Sequence, residues 1–403
     1  MQRHTLRWVG ALSLTCATVT PAAAQALDCA SLPGAVFVSG TTDVKPYLAR
    51  VGPKLSTADD PLTIVYLGVG SCTALDYVLQ DVELAGTAVY WPGGENADGT
   101  PVEGTCDFAP GSRAAMALSD VTVETCTGAP PPADVGERSS LVQGFGFVVP
   151  PNSSQTAITA TEGYFLFKFG GEAGKQVPPW TDPPFVFIRT PASSTQLLTG
   201  LAVGVLGSQW SPNLTASQNG SGALLAAVAA ENTTGNAEKT IGILSLQRYD
   251  SARDRLKMLA FEAFGQDCLG AVFPDSTAQS LDKQNVRDGH YPIWGYLWGM
   301  APLGADGAPA DAGAARLLDF IGGTQVVNGA DPVADAVLAG AVPPCAMHVQ
   351  RAYDGAPLQA LEHPAPCDCA FEKVAAGSTA CVACDDATPC AAGICRFGFC
   401  EAR

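Results

Sequence analysis

The stretch LTIVYLGVGSCTALDYVLQDV, residues 62–82, places a short apolar run directly before an amphipathic pattern. Residues 62–70 are largely apolar and end in glycine, which predicts a buried strand. The apolar side chains that follow Ser71 recur with the i, i+3, i+4, i+7 spacing of one helix face, at Leu75, Val78, Leu79 and Val82. A strand that turns directly into a helix predicts an α/β unit with a largely parallel sheet.

The same alternation extends along much of the chain. Apolar runs predict further strands at 34–40, 141–151, 185–190 and 240–250. Helical patterns cover 46–55, where Pro46 suits the first turn, and 160–171. The polar segment SPNLTASQNGSG, 211–222, predicts a surface loop. We therefore expect an α/β fold rather than an all-α or all-β one.

The first residues of the chain indicate export, and the charge of the remainder limits its partners. Residues 1–24 combine the basic Arg3 and Arg7, a short apolar core and an Ala-Ala-Ala cleavage site, so we expect a signal peptide and a mature chain from Gln25. Without Arg3 and Arg7 the balance is 20 basic against 39 acidic residues, a net charge of −19. This charge argues against nucleic acid or an anionic membrane as a partner. No later segment is apolar for long enough to predict a transmembrane helix.

The cysteines predict an oxidising compartment. Fourteen are present, and thirteen remain once Cys16 leaves with the signal, so at least one thiol is free or pairs with another molecule. A Cys106–Cys126 disulfide is one expected pair. The segment 364–403 holds seven cysteines and few large apolar residues, so we expect a cross-linked tail. Its Cys381 and Cys384 have zinc-ligand spacing, although disulfides are favoured in an exported chain.

Three predicted strand-to-helix turns carry hydroxyl groups. The first turn contains Thr41 and Thr42, and the second contains Ser71. The third follows Arg189 and contains Ser193, Ser194 and Thr195. Ligands of open α/β sheets bind at the carboxyl ends of strands, where such turns meet. Helix N-termini, hydroxyls and a guanidinium together suit an anion. The alternative is that each hydroxyl only caps its helix.

The order of motifs along the chain resembles the phosphate-binding component of ABC transporters, within the type II periplasmic binding proteins. The motifs are VFVSGTTDVKPYL at 36–48, IVYLGVGS at 64–71, ALSDV at 117–121, RTPASST at 189–195 and VRDGHYPIWGYLW at 286–298. The resemblance implies a two-lobed fold in which each lobe is a mostly parallel sheet flanked by helices. It places lobe 1 at 27–140 and 267–355 and lobe 2 at 141–266, with the ligand in the cleft between them.

The resemblance also implies a set of ligand contacts and partners. The implied contacts are Thr42, the backbone of Asp43, Ser71, Asp120, Arg189, Ser193, Ser194 and Thr195. Asp120 would accept a proton from the ligand, and Arg189 would pair with both the anion and Asp120. The implied ligand is a small oxyanion, inorganic phosphate first, and the implied partner is an ABC permease. A helix cap is the alternative role for Asp120.

Two departures from the family pattern bear on this site. Ser194 stands where the family has glycine, and the charge of Asp43 is expected to point away from any anion. Phosphate still carries a proton near neutral pH, since its second pKa is about 6 or a little above, whereas sulfate has none to offer a carboxylate.

No nucleophile elbow, zinc-protease or nucleotide-binding motif appears, so we expect a binding protein without catalysis, cofactor or metal. The alternative function is extracellular recognition or adhesion on the same fold, without transport.

Overall fold

The computed structural model describes residues 27–266, 270–385 and 389–401. The predicted signal segment and Cys268 lie outside the described residues. The strands are β1 Ala35–Gly40, β2 Thr63–Gly68, β3 Thr87–Tyr90, β4 Gly104–Asp107, β5 Met116–Ser119, β6 Val135–Val149, β7 Ala157–Thr159, β8 Val186–Arg189, β9 Ser217–Gln218, β10 Ile241–Ser245, β11 Lys257–Met258, β12 Ala260–Glu262, β13 Trp294–Pro302, β14 Val349–Gln350, β15 Gln359–Ala360, β16 Ile394–Arg396 and β17 Phe399–Glu401. The helices are α1 Lys45–Ser56, α2 Ser71–Leu79, α3 Val123–Thr127, α4 Ala160–Phe169, α5 Ser194–Ala202, α6 Ser221–Ala230, α7 Leu246–Asp250, α8 Gln284–Arg287, α9 Ala312–Ile321, α10 Pro332–Leu338 and α11 Asp368–Ala376.

The main sheet runs in the order β4-β3-β2-β1-β5-β13-β6-β10-β8-β9. In the first lobe β1 pairs in parallel with β2 and β5, and in the second lobe β8 pairs in parallel with β10 and β9. The long antiparallel pair β6–β13 joins the two halves, and β3 and β4 add antiparallel strands at one edge. The predicted two-lobed α/β fold is therefore confirmed, with parallel pairs at the centre of each lobe and antiparallel strands where the lobes join and at this edge.

The unit at 62–82 forms as predicted, as β2 followed by α2. Leu75 and Val78 are buried against the sheet, while Val82, the last residue of the predicted apolar face, lies beyond the end of α2 and is exposed. The turn between β2 and α2 contains Gly70 at φ 102°, a backbone conformation that favours glycine. This sharp turn sets Ser71 at the carboxyl edge of the sheet.

Each lobe has its own apolar core. In the first lobe, side chains of β1, β2 and β5 pack against α1 and α9. In the second lobe, side chains of β6, β8 and β10 pack against α4, α5 and α6. Burial of this apolar surface is the main force that holds each layer together. Among the described residues no helix has the length and apolar character needed to cross a membrane.

The disulfides correct one predicted pair. Cys106 bonds to Cys29, and Cys126 bonds to Cys72, so the expected Cys106–Cys126 bridge is wrong. The physical reason is topology. Cys106 lies on edge strand β4, which is bridged to the start of the described chain through Asp107, whereas Cys126 lies on α3, which packs against α2.

The tail is cross-linked, and its first part joins the second-lobe core. Cys381 bonds to Cys369 and Cys384 to Cys395, so neither is available for zinc, and a Cys390–Cys400 bond closes the last hairpin. The Cys345–Cys367 bond ties the start of the tail to the body. In α11 the ring of Phe371 is fully buried in the second-lobe core, a contact that the polar composition of the tail does not predict.

Candidate anion-binding site

The carboxyl ends of the parallel strands bring the predicted site residues together. Thr42 and Asp43 follow β1, and Asp120 follows β5. Ser71 begins α2 directly after β2. From the second lobe, Arg189 ends β8, and the Ser193, Ser194 and Thr195 turn opens α5. The backbone N–H of Cys72 donates to the carbonyl of Ala192 at 3.1 Å, so the two lobes touch here.

Asp120 lies at the centre of the first-lobe side of the site. Its Oδ2 accepts hydrogen bonds from the hydroxyls of Thr41 at 2.6 Å and Ser194 at 2.8 Å. Its backbone N–H donates to Ser71 Oγ at 3.4 Å. Oδ1 is buried with no hydrogen-bond partner among the described residues. The cap of α3 is Thr122, so the helix-cap alternative for Asp120 is wrong.

The environment of Asp120 favours its neutral form. Burial, followed by the nearby charge of Asp43, raises the pKa of Asp120 from 3.8 to about 8. The hydroxyls of Thr41 and Ser194 and the charge of Arg189 act in the opposite direction and offset only part of this shift. Burial and the charge of Asp43 therefore favour a protonated Asp120 in the ligand-free site.

Arg189 is almost fully buried and bonds to oxygen atoms of the site. Its Nη1 donates to Ser221 Oγ at 2.6 Å, its Nη2 to Thr42 Oγ1 at 3.5 Å and its Nε to the carbonyl of Gln218 at 3.1 Å. Among the described residues it forms no ion pair within 4.0 Å, so the expected direct pairing with Asp120 is not observed. Burial lowers the pKa of Arg189, and the charges of Asp43 and Asp120 oppose that effect.

The side chain of Asp43 points into the site, which corrects the expectation that it points away. It is 1% exposed. Its Oδ2 accepts from Thr195 Oγ1 at 3.2 Å and lies 3.4 Å from Thr41 Oγ1. Its Oδ1 accepts a hydrogen bond from Ser221 Oγ. The reason is that hydroxyls from the second lobe reach this carboxylate and compensate it for the loss of water.

The hydroxyls of α5 serve tertiary contacts rather than capping. Ser193 occupies the N-cap position of α5 without a side-chain cap bond, and it is buried. Ser194 donates to Asp120 and Thr195 to Asp43, so both hydroxyls cross from the second lobe to the first. The N-cap of α2 is Gly70, so Ser71 does not cap its helix either. The capping alternative is thus wrong at both helices.

Ser221 is the principal site residue that the sequence analysis missed. The segment 211–222 is not wholly a surface loop: Ser217 and Gln218 form β9 beside β8, and Ser221 begins α6 fully buried. Its backbone N–H donates to Thr42 Oγ1 at 3.3 Å. The signal was present, since Asn-Gly-Ser-Gly precedes the apolar run ALLAAV much as Gly-Val-Gly-Ser precedes α2.

Thr41 and Arg248 complete the site. Tyr66 donates its hydroxyl proton to the carbonyl of Thr41, which fixes the turn after β1. Arg248, at α7, donates from Nη2 to the carbonyl of Thr42 at 3.2 Å, and its Nε is buried with no partner among the described residues. The buried site therefore contains two guanidinium groups, two carboxyl groups and hydroxyls from both lobes.

Comparisons with known proteins find structural likeness only. No protein-family model matches the chain, and no curated protein matches it. A solved structure described as a phosphate ABC transporter substrate-binding protein with bound phosphate, from Clostridium perfringens, is 14% identical at a TM-score of 0.49, covering 77% of this chain and 99% of that chain.

Two further solved structures give the same picture. An ABC-type phosphate transport receptor from Vibrio cholerae is 16% identical at a TM-score of 0.45, covering 77% of this chain and 100% of that one. A phosphate-binding protein from Stenotrophomonas maltophilia is 14% identical at a TM-score of 0.43, covering 77% and 90%. At these identities and TM-scores the likeness assigns this chain neither a family nor a ligand.

Proposed function

We propose that this chain is an exported solute-binding protein whose cleft takes a small oxyanion carrying a proton, with inorganic phosphate as the first candidate. One observation carries the proposal: a guanidinium and hydroxyls from separate turns of both lobes converge in one buried site around Asp120. Arg189 is buried without an ion pair within 4.0 Å among the described residues. A buried cation without a direct counter-charge is favourable ground for an anion.

Each group then has a chemical role toward a tetrahedral oxyanion. Arg189 supplies the positive charge, and hydroxyls from both lobes donate hydrogen bonds. Asp120 shares one proton with the ligand, and its unpartnered Oδ1 is the free atom for that bond. Since groups from both lobes take part, we expect binding to be coupled to hinge closure of the lobes.

The charge state of Asp120 makes ligand selection depend on pH. With a pKa of about 8, Asp120 is protonated at pH 6 and can donate to phosphate or sulfate alike. At pH 9 it is ionised and pairs only with a ligand that still carries a proton, which phosphate does and sulfate does not. We therefore expect the preference for phosphate over sulfate to increase from pH 6 to pH 9.

The proposed location and partners follow from the same function. The disulfides fit an oxidising compartment such as the periplasm or the cell surface. An ABC permease is the proposed membrane partner. We propose binding without catalysis, because the sequence contains no nucleophile elbow, zinc-protease or nucleotide-binding motif.

Isothermal titration calorimetry with phosphate, sulfate and molybdate at pH 6 and pH 9 tests the proposal. Arg189→Ala is expected to weaken phosphate binding by about 10- to 100-fold, since hydrogen bonds to a charged group contribute about 1.5–3 kcal/mol. Arg316→Ala is the matched control, because Arg316 lies on α9 in an exposed pair with Asp60. Unchanged binding in Arg189→Ala would refute the site assignment.

The second candidate is extracellular recognition without transport. One observation favours it: the hydroxyls of Ser194, Thr195 and Ser221 already donate to carboxyl groups of the chain itself. This second function would be supported if neither the wild type nor a variant that lacks these carboxyl groups binds any oxyanion.

A further inference from the structure

We infer that Asp43 is an internal anion that competes with the ligand for the cleft and thereby sets the affinity of this chain for oxyanions. The inference rests on the proposed function and deepens it. It assigns a specificity-determining role to a side chain that the motif pattern places outside the binding groups, since only the backbone of Asp43 was expected to take part.

The hydroxyl protons of the site are already used within the chain. A hydroxyl has one proton, so while it donates to a carboxylate it cannot donate to a ligand. Thr195 and Ser221 donate to Asp43. Thr41 and Ser194 donate to Asp120. The second-lobe hydroxyls of Ser194, Thr195 and Ser221 are thus already committed to carboxyl oxygens of the first lobe.

The charge on Arg189 is linked to Asp43 through one hydroxyl. Ser221 Oγ accepts from Arg189 Nη1 at 2.6 Å and donates its own proton to Asp43 Oδ1. This relay couples the guanidinium to the Asp43 carboxylate through one hydroxyl. Asp43 therefore balances the charge of Arg189 indirectly, through Ser221, in the ligand-free chain, where a bound oxyanion would balance it directly.

The bonds of Asp43 oppose the binding of a ligand. An incoming oxyanion has to displace Asp43 from Thr195 and Ser221, and it then lies beside a carboxylate that repels it. Both effects weaken binding, and a more highly charged anion is weakened more. The same bonds of Asp43 to the second lobe also hold the lobes together when no ligand is present.

The test is calorimetric titration of inorganic phosphate into the full mature chain and its variants at pH 7. We expect Asp43→Ala to bind phosphate at least 10-fold more tightly than the wild type, and Asp43→Asn to bind more tightly as well. Asp319→Asn is the charge-matched control, since Asp319 is exposed on α9, and its affinity is expected to equal that of the wild type.

The outcomes separate this inference from the proposed function. If the wild type binds phosphate and neither Asp43 variant binds more tightly, the internal-anion role is refuted and the binding function stands. If the wild type and both folded variants fail to bind, the binding function itself fails. Circular dichroism melting curves establish folding, and Asp43→Asn, which keeps the side-chain volume, decides the result if Asp43→Ala does not fold.

Discussion

Replacing Asp120 with asparagine should change how the stability of the protein depends on pH. Asp120 is fully buried next to the charge of Asp43, and its pKa is raised from 3.8 to about 8. Below pH 3.8 the folded and unfolded chains both hold this proton. Between pH 3.8 and about 8 only the folded chain holds this proton, so the free energy of unfolding falls as the pH rises through this range.

The size of the effect follows from that pKa. Each pH unit between the two pKa values changes the free energy of unfolding by about 1.4 kcal/mol, so Asp120 accounts for a loss of about 4 kcal/mol between pH 5 and pH 8. Asparagine has no charge, and its amide oxygen can accept the bonds from Thr41 and Ser194 that Asp120 accepts. The variant should therefore lack this component of the pH dependence.

Urea denaturation at pH 5, 6, 7 and 8 in buffers free of oxyanions measures the effect. Burial also raises the pKa values of Glu137, Asp354 and Glu401, so the ionisation of these carboxyls lowers the stability of both proteins as the pH rises. The informative quantity is thus the difference in unfolding free energy between Asp120→Asn and the wild type at each pH. A difference that stays constant within about 0.5 kcal/mol from pH 5 to pH 8 would refute the raised pKa.

Three further changes probe the packing around the site and the tail. Replacing Cys345 and Cys367 together with serine should lower the unfolding free energy by about 3 kcal/mol in urea denaturation, because the bond closes a loop of 22 residues; no loss would mean that the bond does not constrain the unfolded chain. Phe371→Ala should cost about 3–5 kcal/mol by the same assay, and a loss under about 1 kcal/mol would show that the tail does not pack in the core. In Gly295→Ala the added Cβ would lie 2.6 Å from the carbonyl oxygen of Asp120, so we expect a stability loss of about 1–3 kcal/mol and weaker phosphate binding by calorimetry; wild-type affinity would contradict this.

Local patterns predicted much of the fold and the turns that carry most of the candidate site residues. The strand and helix at 62–82 form where the apolar spacing places them, because burial on one face decides both elements. The turn residues Ser71 and Arg189 each follow from a local strand-to-helix unit. Their convergence does not, because the antiparallel pairs β5–β13, β13–β6 and β6–β10 make β8 run opposite to β2, and the two turns meet only through the way the two lobes face each other.

Pairings over long sequence separations were not predictable in this way. Cys106 lies 20 residues from Cys126, yet it bonds to Cys29, which is 77 residues away. Sequence distance does not say which strand lies at the sheet edge, and the edge decides the partner. Phe371 likewise lies in a polar segment whose composition cannot reveal that the second-lobe core is open to receive it.

The direction of the Asp43 side chain is the most instructive error, because it reverses the electrostatics of the cleft. From neighbouring residues alone, a carboxylate beside an anion site should turn toward solvent. The donors that hold it inside come from Thr195 and Ser221, 152 and 178 residues further along the chain. A buried carboxylate is stable only where such donors arrive, and their arrival is a property of how the two lobes meet. The motif order can therefore predict that an anion site exists while leaving open whether the anion is a ligand or a side chain of the protein.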